Sequence, residues 1–269
     1  MNLNIFDESK DVFLDIVNAK DYVQLDRVAL IYQTLKESVQ KPLKMILLYG
    51  KPGTGKSMFL TKLHSELSQT QNVILYSTPI LDEKEFYKAL GRDICGLESS
   101  EELSFPSLIS LLEKSEPSSI PLVLLDEAQL YSNTLMEKIR LISDTRKVKF
   151  VITLHKTEKE DLIAKEHFQT RIWESIELEN ASASELKIYI QKKLMKANNF
   201  DTANMFQNSS VNTIYSFTQG NYRDTNKLLY GLFEIYSYYL QNMPHKINTT
   251  AISSKIIEMA AIHTGLLDA

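Results

Sequence analysis

The stretch that most constrains this chain is Gly50-Lys51-Pro52-Gly53-Thr54-Gly55-Lys56-Ser57, which follows the pattern G-x-x-x-x-G-K-S. An apolar run, Lys44-Met45-Ile46-Leu47-Leu48-Tyr49, precedes it and suits a buried parallel strand. Met58 to Leu67 follows with apolar residues at helical spacing. Strand, glycine-rich turn and helix form the setting in which such a turn binds phosphate. Glycines let the backbone turn tightly and bring its N–H groups up to phosphate oxygens, and the positive end of the following helix faces the same anion. Lys56 is expected at the β- and γ-phosphates, with the Ser57 hydroxyl on Mg²⁺. The expected nucleotide-binding set is therefore Gly50, Lys51, Pro52, Gly53, Thr54, Gly55, Lys56, Ser57 and Met58.

A second signature lies downstream. Pro121-Leu122-Val123-Leu124-Leu125-Asp126-Glu127 is a buried-strand pattern ending in two acids. In an open parallel sheet, ligands bind at the C-terminal ends of strands. That places Asp126 as a Mg²⁺ ligand and Glu127 as the group that orients and polarises the attacking water. The run Val148 to Leu154 reads as a neighbouring strand, and it offers Thr153 or His155 as the polar residue facing the γ-phosphate and the water. The cofactors expected are ATP and Mg²⁺.

Along the chain, strands and helices alternate to about residue 180, after which the pattern is helical throughout. Expected helices include Gln24 to Val39 with Val28, Leu30, Ile31 and Leu35 inward, Glu83 to Ile94 capped by Asp82, Ser104 to Lys114, Asn133 to Ser143, and Glu158 to Phe168. Phe6, Val12, Phe13, Ile16 and Val17 suggest one face of a short early helix. The C-terminal helices are expected at 184–194, 211–218, 221–241 and 250–264, with a polar loop from Asn198 to Ser210. The fold class is α/β, a parallel sheet flanked by helices and followed by a small all-helical domain. The expected domains are residues 1–180 and 181–269.

Composition narrows the function classes. The 269 residues carry a net charge of −4, so no global basic field points to nucleic acid. The densest basic cluster is Lys138, Arg140, Arg146, Lys147 and Lys149. The single cysteine, Cys95, excludes an internal disulfide or a cysteine-based metal cluster and reads as a small core residue in a reducing compartment. No apolar run approaches membrane-spanning length, and the N-terminus does not read as a secretory signal, so a cytoplasmic location without direct membrane insertion is expected. Tyr22, Val23 and Arg27 are candidates to meet the adenine base.

The chain resembles the AAA+ ATPases at three further places. Asp126-Glu127-Ala128-Gln129 is similar to the family's D-E-A-Q form of Walker B. Met136-Glu137-Lys138-Ile139-Arg140-Leu141-Ile142-Ser143 resembles the E-x-L-R-L-L-S helix, and Gly220-Asn221-Tyr222-Arg223-Asp224-Thr225-Asn226-Lys227-Leu228 resembles the G-N-x-R-R-I-N-K-L segment of the lid. Together these resemble the bacterial branch of general-secretion and pilus-associated ATPases and transposition ATP-binding subunits. The resemblance implies that Arg223 contacts the γ-phosphate in cis and that Arg171 faces the nucleotide of a neighbouring subunit. It also implies a homo-oligomer with nucleotide at or near its interfaces. Where the family usually reads G-Q-P-E-L, this chain has Leu154-His155-Lys156-Thr157-Glu158, so Thr153 and His155 both stay open as the sensor. The main functional expectation is an ATP-hydrolysing switch acting on a protein client of an envelope secretion, pilus or DNA-uptake system. The alternative is a DNA-binding ATPase that regulates transposition or replication.

Overall fold

The computed structural model describes residues 5–97, 103–115, 119–157 and 172–267. These fall into two compact units that interleave along the chain. One comprises residues 30–51 and 55–178, the other residues 1–29, 52–54 and 179–269. The sequence reading places a single boundary near residue 180. The N-terminal piece joins the second unit because Phe6 and Phe13 are buried in its core.

The α/β unit is built on β1 (Met45–Gly50), β2 (Val73–Tyr76), β3 (Leu122–Leu125), β4 (Lys149–His155) and β5 (Ile172–Leu178). Among the described residues these form one parallel sheet in the order β2-β3-β4-β1-β5. β1 and β3 are buried along their whole length, which is why they read as unbroken apolar runs. β5 is an edge strand and alternates instead, with Trp173 71% exposed. The helices are α2 (Asp26–Gln40), α3 (Lys56–Leu67), α4 (Glu83–Cys95), α5 (Phe105–Lys114) and α6 (Asn133–Asp144). Asp82 and Ser104 cap α4 and α5 through the N–H groups of Glu85 and Ser107, and Ser132 caps α6. The core joins Met45, Leu47, Leu90, Val123, Ile139 and Phe150. Cys95 is half-buried beside that core, and burial pushes its thiol pKa up, so it behaves as a small apolar side chain.

Two inward expectations fail. Leu30 on α2 is 71% exposed, while Tyr32, Leu35 and Val39 are buried, so the buried stripe is rotated away from Leu30. Ile16 and Val17 are exposed because α1 (Ile5–Asp11) stops before them. The expected helix at 158–168 lies outside the described residues.

In the other unit, α1 packs with α7 (Ala183–Lys196), α8 (Phe200–Asn204), α9 (Asn208–Thr218), α10 (Tyr222–Asn242) and α11 (Ser254–His263). Phe6 lies 4.9 Å from Tyr236 and Phe13 lies 5.8 Å from Phe233, ring centre to ring centre. Both phenylalanines are fully buried, which ties residues 5–13 to the C-terminal helices. α8 corrects the polar loop expected from Asn198 to Ser210. Its Thr202 and Ala203, with Met205 and Phe206 after it, are buried, while Asn198 lies in a turn, Asn199 is the N-cap of α8, and Asn208, Ser209 and Ser210 already form the first turn of α9. α7 begins with a capping box, in which Ser182 and Glu185 exchange side-chain to backbone hydrogen bonds. Arg27 donates to Glu185 at 2.9 Å and to the Asn180 carbonyl at 3.0 Å. It buttresses the start of α7, a structural task beside the adenine contact considered for it.

Candidate active site

The parallel register brings the site together. Leu125 of β3 pairs with Ile152 of β4, so Asp126, one residue on, comes beside Thr153. Gly50, at the end of β1, pairs with His155. The start of the glycine-rich turn, Thr153, His155 and the two acids therefore share the C-terminal edge of one sheet.

Asp126 is 5% exposed and Thr153 is fully buried. The Thr153 hydroxyl donates to Asp126 Oδ1 at 2.6 Å and accepts the Glu127 N–H at 2.9 Å. The same N–H also reaches Asp126 Oδ1 at 3.0 Å. Both bonds that the Asp126 side chain accepts here fall on Oδ1. Glu127 has left-handed backbone, φ 51° and ψ 42°, which is costly for a residue with a side chain. Its carboxylate takes a hydrogen bond from Gln129 Nε2 at 2.9 Å, and His155 Nε2 stands 4.0 Å from its other oxygen. Tyr131 is buried next to this turn. Burial pushes its phenol up to about 12, and the Asp126 charge acts in the same direction.

In the glycine-rich turn, Lys56 is 7% exposed. Its ammonium donates to the carbonyls of Gly50 and Lys51 at 3.0 Å each, curling back over the turn. Gly55 is the N-cap of α3 with φ 96°, and a side chain there would meet nothing within 4 Å but would force a strained backbone. Ser57 and Met58 lie in the first turn of α3 and are half-buried. The residues from Gly50 to Met58 offer backbone N–H groups, two ammonium groups and two hydroxyls, with no carboxylate among them. That donor set fits a polyphosphate, and the Ser57 hydroxyl with the Asp126 carboxylate is a hard-oxygen pair that fits Mg²⁺.

Residues 52–54 belong to the same compact unit as the C-terminal helices. Asn221 caps α10 through the N–H groups of Arg223 and Asp224, and its amide donates to the Pro52 carbonyl at 2.6 Å. The Tyr222 N–H donates to the Gly53 carbonyl at 3.1 Å. Gly53 has φ 79°, and a Cβ there would lie 2.1 Å from Asn221 Oδ1. Sequence reasoning singled out this segment for Arg223 and missed Asn221, whose partner lies 169 residues away. Arg223 itself is exposed and faces Asp15 at 3.5 Å. Arg171 lies outside the described residues.

Four of the five residues of the basic cluster are engaged in the protein's own structure, and Arg146 is exposed. Lys138 pairs with Glu83, Arg140 with Glu137 and Asp144, and Lys147 with the Ser115 carbonyl. Lys149 donates to the carbonyls of Val39 and Lys41 at the end of α2. Burial lowers the pKa of its ammonium.

The family model for the AAA domain matches residues 40–162. No curated protein matches the sequence. Among solved structures the chain is similar to Cdc6p from Pyrobaculum aerophilum, with 15% identity and a TM-score of 0.67 over 95% of this chain and 71% of that one. It is similar to the Aeropyrum pernix ORC1 protein in complex with DNA, with 16% identity and a TM-score of 0.65 over 94% and 69%. It is also similar to the Thermotoga maritima RuvB Holliday junction branch migration motor, with 19% identity and a TM-score of 0.54 over 90% and 70%. At these identities the likeness is one of fold. The fold is that of an AAA+ P-loop core, a five-stranded parallel sheet flanked by helices, with a C-terminal helical region.

Proposed function

We propose that this AAA+ P-loop ATPase is a nucleotide-driven switch working in a DNA-associated assembly. The observation that carries the catalytic part is the bond network of Thr153, Asp126 and Glu127 on the sheet edge that also holds the start of the P-loop. Lys56 and the N–H groups of Gly53 to Ser57 would hold the phosphates. Ser57 and Asp126 would hold Mg²⁺, which when bound neutralises charge building on the phosphates. Glu127 would orient the attacking water and take its proton. Catalysis of this kind rests on positioning and electrostatics. Arg223, at the first turn of α10, would carry the state of the γ-phosphate into the helical unit, and its pairing with Asp15 gives it a resting partner. Arg171 would serve the neighbouring subunit in a homo-oligomer.

The DNA-associated part draws on the solved structures of similar fold, one of them in complex with DNA and another described as a branch migration motor. A protein client in a secretion, pilus or DNA-uptake system is the second reading. It is favoured by the net charge of −4 and by the internal pairing of Lys138, Arg140, Lys147 and Lys149. Among the described residues no helix is long and apolar enough to cross a membrane. A cytoplasmic location is part of the proposal.

The test is steady-state ATP hydrolysis with and without duplex DNA, at low and at moderate salt. Stimulation by DNA that fades with salt supports the first reading. Turnover indifferent to DNA at low salt sinks it and favours a protein client. Glu127→Gln is expected to lose hydrolysis while retaining ATP binding. A variant hydrolysing at the wild-type rate would overturn the assignment of Glu127.

A further inference from the structure

Gln129 lies in the single turn Ala128–Leu130 that follows Glu127. Its Nε2 donates to Glu127 Oε2 at 2.9 Å. Its Oε1 is buried and has no hydrogen-bond partner among the described residues. A buried amide oxygen without a donor costs folding stability. Ala128 before it and Tyr131 two residues on belong to the apolar core, whereas Leu130 beside it is 55% exposed; at the half-buried position 129 an apolar side chain of similar length would leave no such atom unpaired. Stability therefore does not explain an amide at this position. What the amide does is hold one oxygen of the carboxylate beside it.

The backbone carries a second cost at the same place. Glu127 adopts φ 51° and ψ 42°, and its N–H is fixed by Thr153 and Asp126. Strain and an unsatisfied polar atom both converge on one carboxylate, as they do at sites kept for function. With Oε2 held by Gln129, the oxygen left to act is Oε1, which faces His155 at 4.0 Å.

We infer that Gln129 is a positioning residue for ATP hydrolysis, holding the Glu127 carboxylate so that Oε1 takes the proton of the attacking water. In that step the water oxygen bonds to the γ-phosphorus. The bond from that phosphorus to the bridging oxygen breaks, and the oxygen leaves with the electron pair on ADP. The water proton passes to Glu127 Oε1. Gln129 touches none of the reacting atoms. It acts through Glu127, so the inference rests on the reading of Glu127 given above.

The experiment is kinetics and thermal unfolding of Gln129→Met, which keeps the length and removes the amide, and of Gln129→Glu, which sets a second carboxylate against the first. Gln129→Met is expected to unfold at the wild-type temperature or above it and to keep KM for ATP, with kcat down about tenfold. Gln129→Glu is expected to fall further in kcat. In a Glu127→Gln background, Gln129→Met is expected to change the residual rate less than about twofold, because the group it positions is gone. The inference is overturned if Gln129→Met keeps wild-type kcat or raises it. It is also overturned if the unfolding temperature and kcat fall together, or if the tenfold loss persists in the Glu127→Gln background. Should Gln129→Met not fold, Gln129→Glu with wild-type kcat overturns it equally. Loss of activity in Glu127→Gln with wild-type Gln129→Met removes this inference alone, whereas an active Glu127→Gln removes the underlying reading.

Discussion

Replacing Thr153 by valine isolates one hydroxyl. The two side chains have nearly the same shape, so no cavity opens. Removed are the donor to Asp126 Oδ1 at 2.6 Å and one of two acceptors for the Glu127 N–H. That N–H keeps its bond to Asp126 Oδ1 at 3.0 Å, so it is not orphaned. The cost is therefore the loss of one charge-assisted hydrogen bond to a carboxylate only 5% exposed, at a residue where water does not replace the hydroxyl. Such bonds contribute about 1.5–3 kcal/mol. With a loss of about 2 kcal/mol, the α/β unit should melt about 4–8 °C lower. Release of both acids from their fixed geometry should cost about tenfold in kcat, equivalent to roughly 1.4 kcal/mol of barrier. Thr153→Ser keeps the hydroxyl and deletes a methyl, costing about 1 kcal/mol of stability with hydrolysis preserved. Urea and thermal unfolding with steady-state ATPase assays on both variants make the comparison. If Thr153→Val matches wild type in both, or Thr153→Ser loses kcat as fully as Thr153→Val, the hydroxyl is not what organises Asp126 and Glu127.

Two other consequences are open to direct measurement. Gly53→Ala forces a strained φ and displaces Asn221, loosening the cap of α10 and its bond to Pro52; this should cost about 2–3 kcal/mol. Gly55→Ala meets nothing within 4 Å and should cost only the backbone strain, about 1–2 kcal/mol; equal losses in denaturant titrations would contradict the close-approach argument for Gly53. Burial lowers Lys193 to about 8 from 10.5 in the helical unit, where its ammonium lies 5.1 Å from the Phe13 ring. Its folded pKa is depressed, so the unfolded chain binds the proton more readily between those values. Stability of this unit should therefore rise with pH from about 8 towards 10.5 and be lost as pH falls through that window. Urea unfolding at pH 7.5 and 9.5 should show the rise in wild type and not in Lys193→Met; an equal rise in both would assign it to another group.

How much of the site was legible depends on how local its physics is. The glycine-rich turn needs only neighbouring residues, since a strand, glycines at positive φ and a helix N-terminus make an anion cradle by themselves. Asp126 and Glu127 were legible for the same reason, as acids following an apolar run long enough to be a buried strand. The Thr153 partner was not legible. Thr153 and His155 are equally polar residues at the end of one strand, and only the β3–β4 register sets the first against Asp126 and the second against the end of β1. The pairing of the basic cluster was not legible because charge density along a chain does not say where the counter-charges stand. Glu83 lies 55 residues from Lys138, and the carbonyls that take up Lys149 lie more than a hundred residues away.

By itself, the sequence determined the order of the five strands and of the helices between them, the glycine-rich turn and the acids that follow β3, because each depends on propensity, periodicity or spacing over a few residues. Tertiary structure decided the rest. It buried Phe6 and Phe13 among the C-terminal helices, leaving Leu30 and Ile16 in solvent. It brought Asn221 onto Pro52 and Gly53, and it left one end of Gln129 unsatisfied while the other holds Glu127. The register of a strand and the face of a helix that is buried depend on partners far away in the chain, and local pattern carries no record of them.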